Sequence, residues 1–334
     1  MKVALIEVGH WHASMYASAL RARGVPVVAV CDRDPERARR AASETGAAVF
    51  GSLDALLAGA EVDFAFAFGR HCDMPGIAEK LLARRVPFAM EKPGGLSAAD
   101  VARTRRLAEA AGVFVAVPFV FRTSPLLAEI AGAEAAHPAR FSHLAFRSMH
   151  GGPRRYVESG NGWLLDPAQS GGGCTINLSV HFVDLFFALT AEPVATVFAR
   201  MSRRTHGLAV EDHSLLVLTG WDGAVCEIET SYTFPPDPRA KREFYFSVAS
   251  ERTYAHRAEG GVWISRRDDA GGRLVPVELD HDAFYPPFVE RTLADVRAGR
   301  PPVAGLADLE AVMRVVDAAY RSDRTGQVVT LEAG

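Results

Sequence analysis

Val62-Asp63-Phe64-Ala65-Phe66-Ala67-Phe68 places six apolar side chains in seven positions, without the alternation of a half-wet strand. A strand that lacks alternation is covered on both faces, as in parallel sheets sandwiched between helices. Working outward, residues 1 to about 120 repeat one unit. Short β-rich runs at 3–8, 25–31, 86–90 and 113–117 are separated by helical patterns. Asp34-Pro35 supplies an N-cap followed by proline at the first helical position, and Ser97-Ala98-Ala99-Asp100 a capping box. Alternating strands and helices of this kind predict a Rossmann-type, doubly wound parallel sheet.

From Phe121 the pattern changes. Runs at 214–219, 224–230, 243–249 and 261–265 alternate, with turns at Trp221-Asp222-Gly223 and Glu259-Gly260-Gly261 among them. Helical patterns near 287–298 and 306–321 follow. The expected fold is therefore α/β: a doubly wound parallel-sheet domain over 1–120 and an α+β domain over 121–334, built on a largely antiparallel open sheet. A length of 334 residues with 49% hydrophobic content accommodates two such cores.

Composition narrows the function. A net charge of −3 offers no basic face for a polyanion, so no nucleic-acid partner is expected. The N-terminal apolar run is broken by Glu7 and too short for a signal core or membrane span, which points to the cytoplasm with no membrane partner. Cys31, Cys72, Cys174 and Cys226 are far apart with no C-x-x-C pair, as expected of reduced, mostly buried thiols. Basic residues are almost all arginine, the lysines being Lys2, Lys80, Lys92 and Lys241.

A dinucleotide site needs Gly-x-Gly-x-x-Gly between the first strand and helix, so that the backbone and the helix N-terminus approach the pyrophosphate. The corresponding residues are Glu7, Gly9 and His12. A carboxylate at the first position sets like charge against a pyrophosphate, and Arg70, at the end of the 62–68 strand, is the expected neutralising partner. The backbone N–H groups of His10, Trp11 and His12 remain candidate phosphate donors. Asp32, 23 residues after Gly9, stands where an acid binds the adenosine ribose of NAD and repels the 2′-phosphate of NADP, with Arg33 beside it to soften that preference. The bland alternative is that Asp32 merely opens the Asp32-Arg33-Asp34-Pro35 turn. His10, Trp11 and His12 read as a turn and helix start with aromatic packing rather than a metal cluster, since no acid at metal spacing accompanies them.

Two further motifs carry chemistry. Glu91-Lys92-Pro93 follows the 86–90 strand, placing Lys92 at a carboxyl end, where open α/β sheets bind ligands. Desolvation there brings an amine toward neutrality; the alternative is a solvated loop lysine. Gly171-Gly172-Gly173 precedes a helical pattern in which Asn177 and His181 are i and i+4 on one face. The glycines are expected to admit a flat ring, and the histidine to act as general acid or base, or else to be a satisfied core residue.

Together with Phe121-Arg122-Thr123-Ser124-Pro125, Glu211-Asp212 and Val296-Arg297-Ala298-Gly299-Arg300-Pro301, these motifs resemble the Gfo/Idh/MocA oxidoreductase family over nearly the whole chain. The resemblance implies that Lys92 and His181 are catalytic and that Asn177 stands where the family has an aspartate. It further implies a structural or supporting role for Asp184, and dimer or tetramer contacts through the outer face of the second sheet. NAD or NADP bound by Gly9, His10, Trp11, His12, Asp32, Arg33, Arg70, Glu91 and Lys92 would oxidise a secondary alcohol of a sugar, cyclitol or related polyol. Arg122, Tyr156, Trp163, Asn177 and His181 are the candidate substrate contacts, and no metal is expected. The alternatives are an NAD-assisted lyase, hydrolase or epimerase with transient oxidation, and a non-catalytic sensor or accessory subunit that has lost cofactor.

Overall fold

The computed structural model describes residues 1–133, 140–237, 240–267 and 271–332. The chain forms two compact units. The first takes Met1–Phe119 and two later segments, Tyr156–Gly171 and Tyr285–Ala311; the second takes Val120–Arg155, Gly172–Phe284 and the chain from Val312 onward. The chain thus leaves its first unit where the sequence pattern changes, and returns to it twice.

The first unit holds a parallel sheet of β1 (Val3–Ile6), β2 (Val27–Cys31), β3 (Ala48–Phe50), β4 (Phe64–Ala67), β5 (Phe88–Met90) and β6 (Val115–Ala116), in the order β3-β2-β1-β4-β5-β6. Every residue of β1 and β4 is buried, as their unbroken apolar runs require. The short edge strand β3, with two of its three residues exposed, gave no such signal. Asp34 caps the helix Pro35–Thr45 by accepting the Glu36 N–H, and Ser97 caps Ala98–Ala111 by accepting the Asp100 N–H. Helix Tyr285–Arg297 packs on Ala13–Ala22 and buries Tyr285, Phe288, Val289 and Leu293.

The second unit is a nine-stranded mixed sheet of β7 (Phe141–Gly151), β8 (Val194–Ser202), β9 (His213–Gly220), β10 (Val225–Phe234), β11 (Arg242–Ser250), β12 (Thr253–Ala258), β13 (Gly261–Arg266), β14 (Gly272–Val275) and β15 (Val329–Thr330), in the order β14-β13-β12-β11-β7-β10-β9-β8-β15. Among the described residues of this sheet only β7 and β10 pair in parallel. Helix Val180–Thr190 packs against β7 and β10. The register aligns Leu215, Glu229, Arg147 and Tyr245 across four strands, and Tyr254, Trp263 and Leu274 continue that face, all four of these apolar or aromatic residues from Tyr245 onward being exposed.

The run Pro167–Thr190 is long and apolar enough to cross a membrane by length and composition, but 83% of its apolar window is buried inside the protein, as in a core helix. Its glycines serve packing. A Cβ on Gly173 would sit 2.0 Å from the backbone oxygen of Glu211, and one on Gly172 would sit 1.9 Å from the Tyr320 hydroxyl. The space expected to admit a ligand ring is therefore filled by protein at both positions. Because backbone cannot yield as a side-chain tip can, Gly173→Ala is expected to cost about 2 kcal/mol and lower the thermal midpoint by about 5 °C in calorimetry.

Candidate active site

In the first unit, β1 runs into Glu7, whose φ of 60° is the left-handed geometry that normally selects glycine. The backbone shape of the fingerprint survives, at a cost of about 1 kcal/mol for a residue with a Cβ. Burial raises the Glu7 pKa and Arg33 opposes that rise, its Nε donating to the carboxylate at 2.7 Å. Arg33 also donates to Asp73 at 2.6 Å, so both of its arms are engaged. Arg70 is not the partner of Glu7: it binds Asp73 at 2.6 Å and Gln169 at 2.5 Å, being three residues from one and directed at the other.

Asp32 ties two turns together, accepting the Gly9 N–H at 2.6 Å and the Asp34 N–H at 2.7 Å. Arg37 donates to the carbonyls of Gly9 and Gly160, at 3.0 and 3.1 Å, and Asn161 donates to Gly9 at 3.2 Å. The contacts of Arg37 with Gly160 and of Asn161 with Gly9 join residues more than a hundred positions apart and left no local signal. A cleft of 300 Å³ is lined by Glu7, Asp32, Arg33, Arg70 and Trp163 among others. A second, of 480 Å³, shares Gly9, His10, Arg37 and Gly160 with it and adds Trp11 and Ser14.

The turn spends most of its donors internally. His10 N–H reaches the Glu7 carbonyl at 3.5 Å and His12 N–H reaches His10 Nδ1 at 3.2 Å. Among the described residues only the Trp11 amide of these three lacks a partner, which corrects the expectation that all three face a phosphate. His12 points into the protein: its Nδ1 lies 3.0 Å from Glu91 Oε1, and the Tyr285 hydroxyl lies 3.0 and 3.1 Å from its two ring nitrogens. Tyr16 donates to the same Glu91 oxygen at 3.2 Å.

Glu91 and Lys92, at the end of β5, are both buried. Burial would raise the Glu91 pKa, but the charge and hydrogen bond of His12, with His10 and Lys92, hold it at about 2. Burial lowers Lys92 to about 8 against the opposing pull of Glu91, so the amine titrates near neutrality. His71, which sequence reasoning passed over for its neighbour Arg70, is buried with Nδ1 2.7 Å from the Ser170 carbonyl, and burial lowers its pKa to about 3. Tyr156 and Trp163 also belong to this unit: Tyr156 packs 5.6 Å from Trp11, and Trp163 meets His71 edge to face at 4.9 Å. Trp163 lines the 300 Å³ cleft, and both residues lie in the first unit, not in the second where the sequence pattern placed them.

In the second unit, Thr175–Ser179 is a π-helical turn that leads into helix Val180–Thr190. The expected α-helical i, i+4 relation between Asn177 and His181 is thus replaced by a wider turn, a feature found frequently at functional sites. Glu211 secures its start by accepting the Thr175 N–H at 3.0 Å and the Tyr320 hydroxyl at 2.8 Å. Asn177 donates to the Tyr232 hydroxyl at 3.0 Å. Arg122 clamps the buried Asp184 through Nε and Nη2 at 2.7–3.0 Å, so those donors are committed to bracing the helix. His181 is buried, with its ring 5.8 Å from that of His281 at 29°; His281 in turn stacks on His150 at 5.6 Å. Neither His150 nor His281 stood in a recognisable motif.

A model of an oxidoreductase family with an NAD-binding Rossmann fold matches residues 1–119, and one of the GFO/IDH/MocA C-terminal domain matches 143–251. The chain belongs to the Gfo/Idh/MocA family. The D-xylose 1-dehydrogenase (NADP⁺) 2 of Haloferax volcanii is 28% identical over 94% of both chains. A D-apiose dehydrogenase of Paraburkholderia graminis is 25% identical over 93% of this chain and 84% of its own. The crystal structure of GenD2 from gentamicin A biosynthesis, in complex with NAD, shares the fold at a TM-score of 0.85 and 23% identity, covering 100% of this chain and 97% of that one.

This Gfo/Idh/MocA protein retains features that fit a nicotinamide dinucleotide. Asp32 carries its carboxylate at the end of β2, the Gly9 turn opens on the cleft, and a substituent on Gly9 would crowd Arg37 and Asp32. The charge of Glu7 is matched by Arg33. Losing that match is expected to matter: Arg33→Ala should weaken NAD binding about tenfold by calorimetry, and adding Glu7→Gly to it should restore most of the loss.

Proposed function

We propose that the protein oxidises a secondary alcohol of a sugar, cyclitol or related polyol, with NAD as hydride acceptor. The observation that carries this reading is the buried Lys92 amine with a pKa near 8, at the carboxyl end of β5 in an NAD-binding Rossmann unit. The relatives named as xylose and apiose dehydrogenases supply the substrate class. Asp32, with Arg33 bound to Glu7 and Asp73, favours NAD over NADP.

Gly9, the Trp11 amide, Asp32 and the arginines around the cleft would hold the dinucleotide. When bound, its nicotinamide supplies the hydride acceptor. His181 takes the hydroxyl proton as that carbon is oxidised, and Lys92 hydrogen-bonds the reacting oxygen and stabilises its developing charge. Asn177, held by Tyr232, fixes substrate position. Because the ammonium form of Lys92 does the stabilising, kcat/KM for oxidation should fall as pH rises through about 8. The residual rate of Lys92→Arg should lack that limb, since a guanidinium stays protonated. Screening aldoses, polyols and uronates for stoichiometric NAD reduction tests the assignment; binding without net reduction on every substrate would argue against it.

We also assign the enzyme to the cytoplasm, in keeping with four free cysteines, as a homodimer or homotetramer joined through the exposed sheet face that carries Leu215, Tyr245, Tyr254, Trp263 and Leu274. Trp263→Glu is expected to yield monomers in light scattering.

A further inference from the structure

His10, His12 and Glu91 bring two imidazoles and a carboxylate together, with ligand atoms all within 4.8 Å of one another and every residue buried. Sequence spacing concealed the set because Glu91 enters from β5, 79 residues beyond His12. His12 occupies the position where a dinucleotide fingerprint has its third glycine, and His10 follows the glycine that remains, Gly9. Glu91 Oε1 accepts from Tyr16 and meets His12, but its Oε2 is buried without a hydrogen-bond partner among the described residues. An ionised oxygen left in this way is expensive unless something positive reaches it.

We propose that His10, His12 and Glu91 form a binding site for a divalent first-row transition metal of the zinc class. Two histidines and a carboxylate are a common donor set for such ions, with further positions left for water or another oxygen. Tetrahedral zinc with bonds of about 2.0–2.1 Å sets its donors about 3.3 Å apart. The His12–Glu91 separation of 3.0 Å already approaches this, and His10, whose ligand atom lies within 4.8 Å of both, must turn toward them on binding. On binding through Nδ1, metal–nitrogen and metal–oxygen bonds replace the hydrogen bond between His12 and Glu91, and the imidazole keeps its one proton on Nε2, beside the Tyr285 hydroxyl. Tyr285, beside His12, and Tyr16, on Glu91 Oε1, supply the outer contacts that orient ligands. His10 lines both clefts, which gives the ion a path in.

The test uses tag-free full-length protein stripped with chelator and titrated with Zn²⁺ and Co²⁺, without nucleotide or substrate, so its outcome is independent of the dehydrogenase reading. One equivalent of metal per chain is expected, with visible cobalt bands characteristic of low-coordinate nitrogen and oxygen ligands. His10→Ala and Glu91→Gln should each weaken binding at least about tenfold. Circular dichroism establishes that each variant is folded, and His10→Gln substitutes for any that is not. His281→Ala, which removes the other clustered donor set at Asp280, His281 and Asp282, should leave binding unchanged. The proposal is overturned by absence of stoichiometric binding, by folded His10 and Glu91 variants that bind as the wild type does, or by loss of binding in His281→Ala instead.

Discussion

Lys92→Met should lower turnover by about 10²- to 10⁴-fold while raising the thermal midpoint at neutral pH. The two effects share a cause. Burial holds the Lys92 pKa at about 8, below its ordinary 10.5, so at pH 7 the folded protein carries an ammonium at net cost, even with Glu91 nearby. Methionine fills similar space without that desolvation. The sign follows from proton counting: between about pH 8 and 10.5 the unfolded chain binds the Lys92 proton and the folded chain does not. Wild-type stability therefore gains a rising contribution through that window, which the variant lacks. Calorimetry at pH 7 and across that window, beside turnover on an identified substrate, reads both effects. A variant that keeps wild-type turnover would remove Lys92 from the chemistry.

His181→Asn should be comparably damaging, with turnover reduced about 10²- to 10⁴-fold and KM for the sugar changed much less. Asparagine can keep a hydrogen bond but cannot accept the hydroxyl proton as hydride departs. The π-helical turn before His181 and the Arg122–Asp184 clamp behind it fix the helix, so the loss should be chemical and the fold intact. Single-turnover formation of reduced nicotinamide separates the two: wild-type amplitude at a reduced rate supports the assignment. An unchanged rate contradicts it.

How much was legible in the sequence depended on whether the signal was local. Covered strands such as β4 announce themselves through unbroken apolar runs, and Asp34 and Ser97 mark helix starts by chemistry contained within a few residues. Strand β3 is short and exposed at an edge, so no pattern reveals it. The return of Tyr156, Trp163 and Tyr285 to the first unit was likewise invisible, since nothing in a loop's composition records which sheet it revisits. Long-range pairing also decided the polar residues. Arg33, not Arg70, binds Glu7; Arg122 is bound to Asp184; and Glu91 joins His10 and His12 across most of the first unit. The glycines before the π-turn were expected to admit a flat ring, but what approaches at Gly172 and Gly173 is Tyr320 and the Glu211 backbone.

The central claim is that a fingerprint reduced to Gly9, with Glu7 balanced by Arg33, still holds a nicotinamide dinucleotide for alcohol oxidation. Calorimetric titration of the purified full-length chain with NAD and NADP, at concentrations up to the millimolar range, tests it most directly. The account predicts saturable binding of one NAD per chain, tighter than NADP, with that preference lost in Asp32→Ala. Failure of both nucleotides to bind would contradict it.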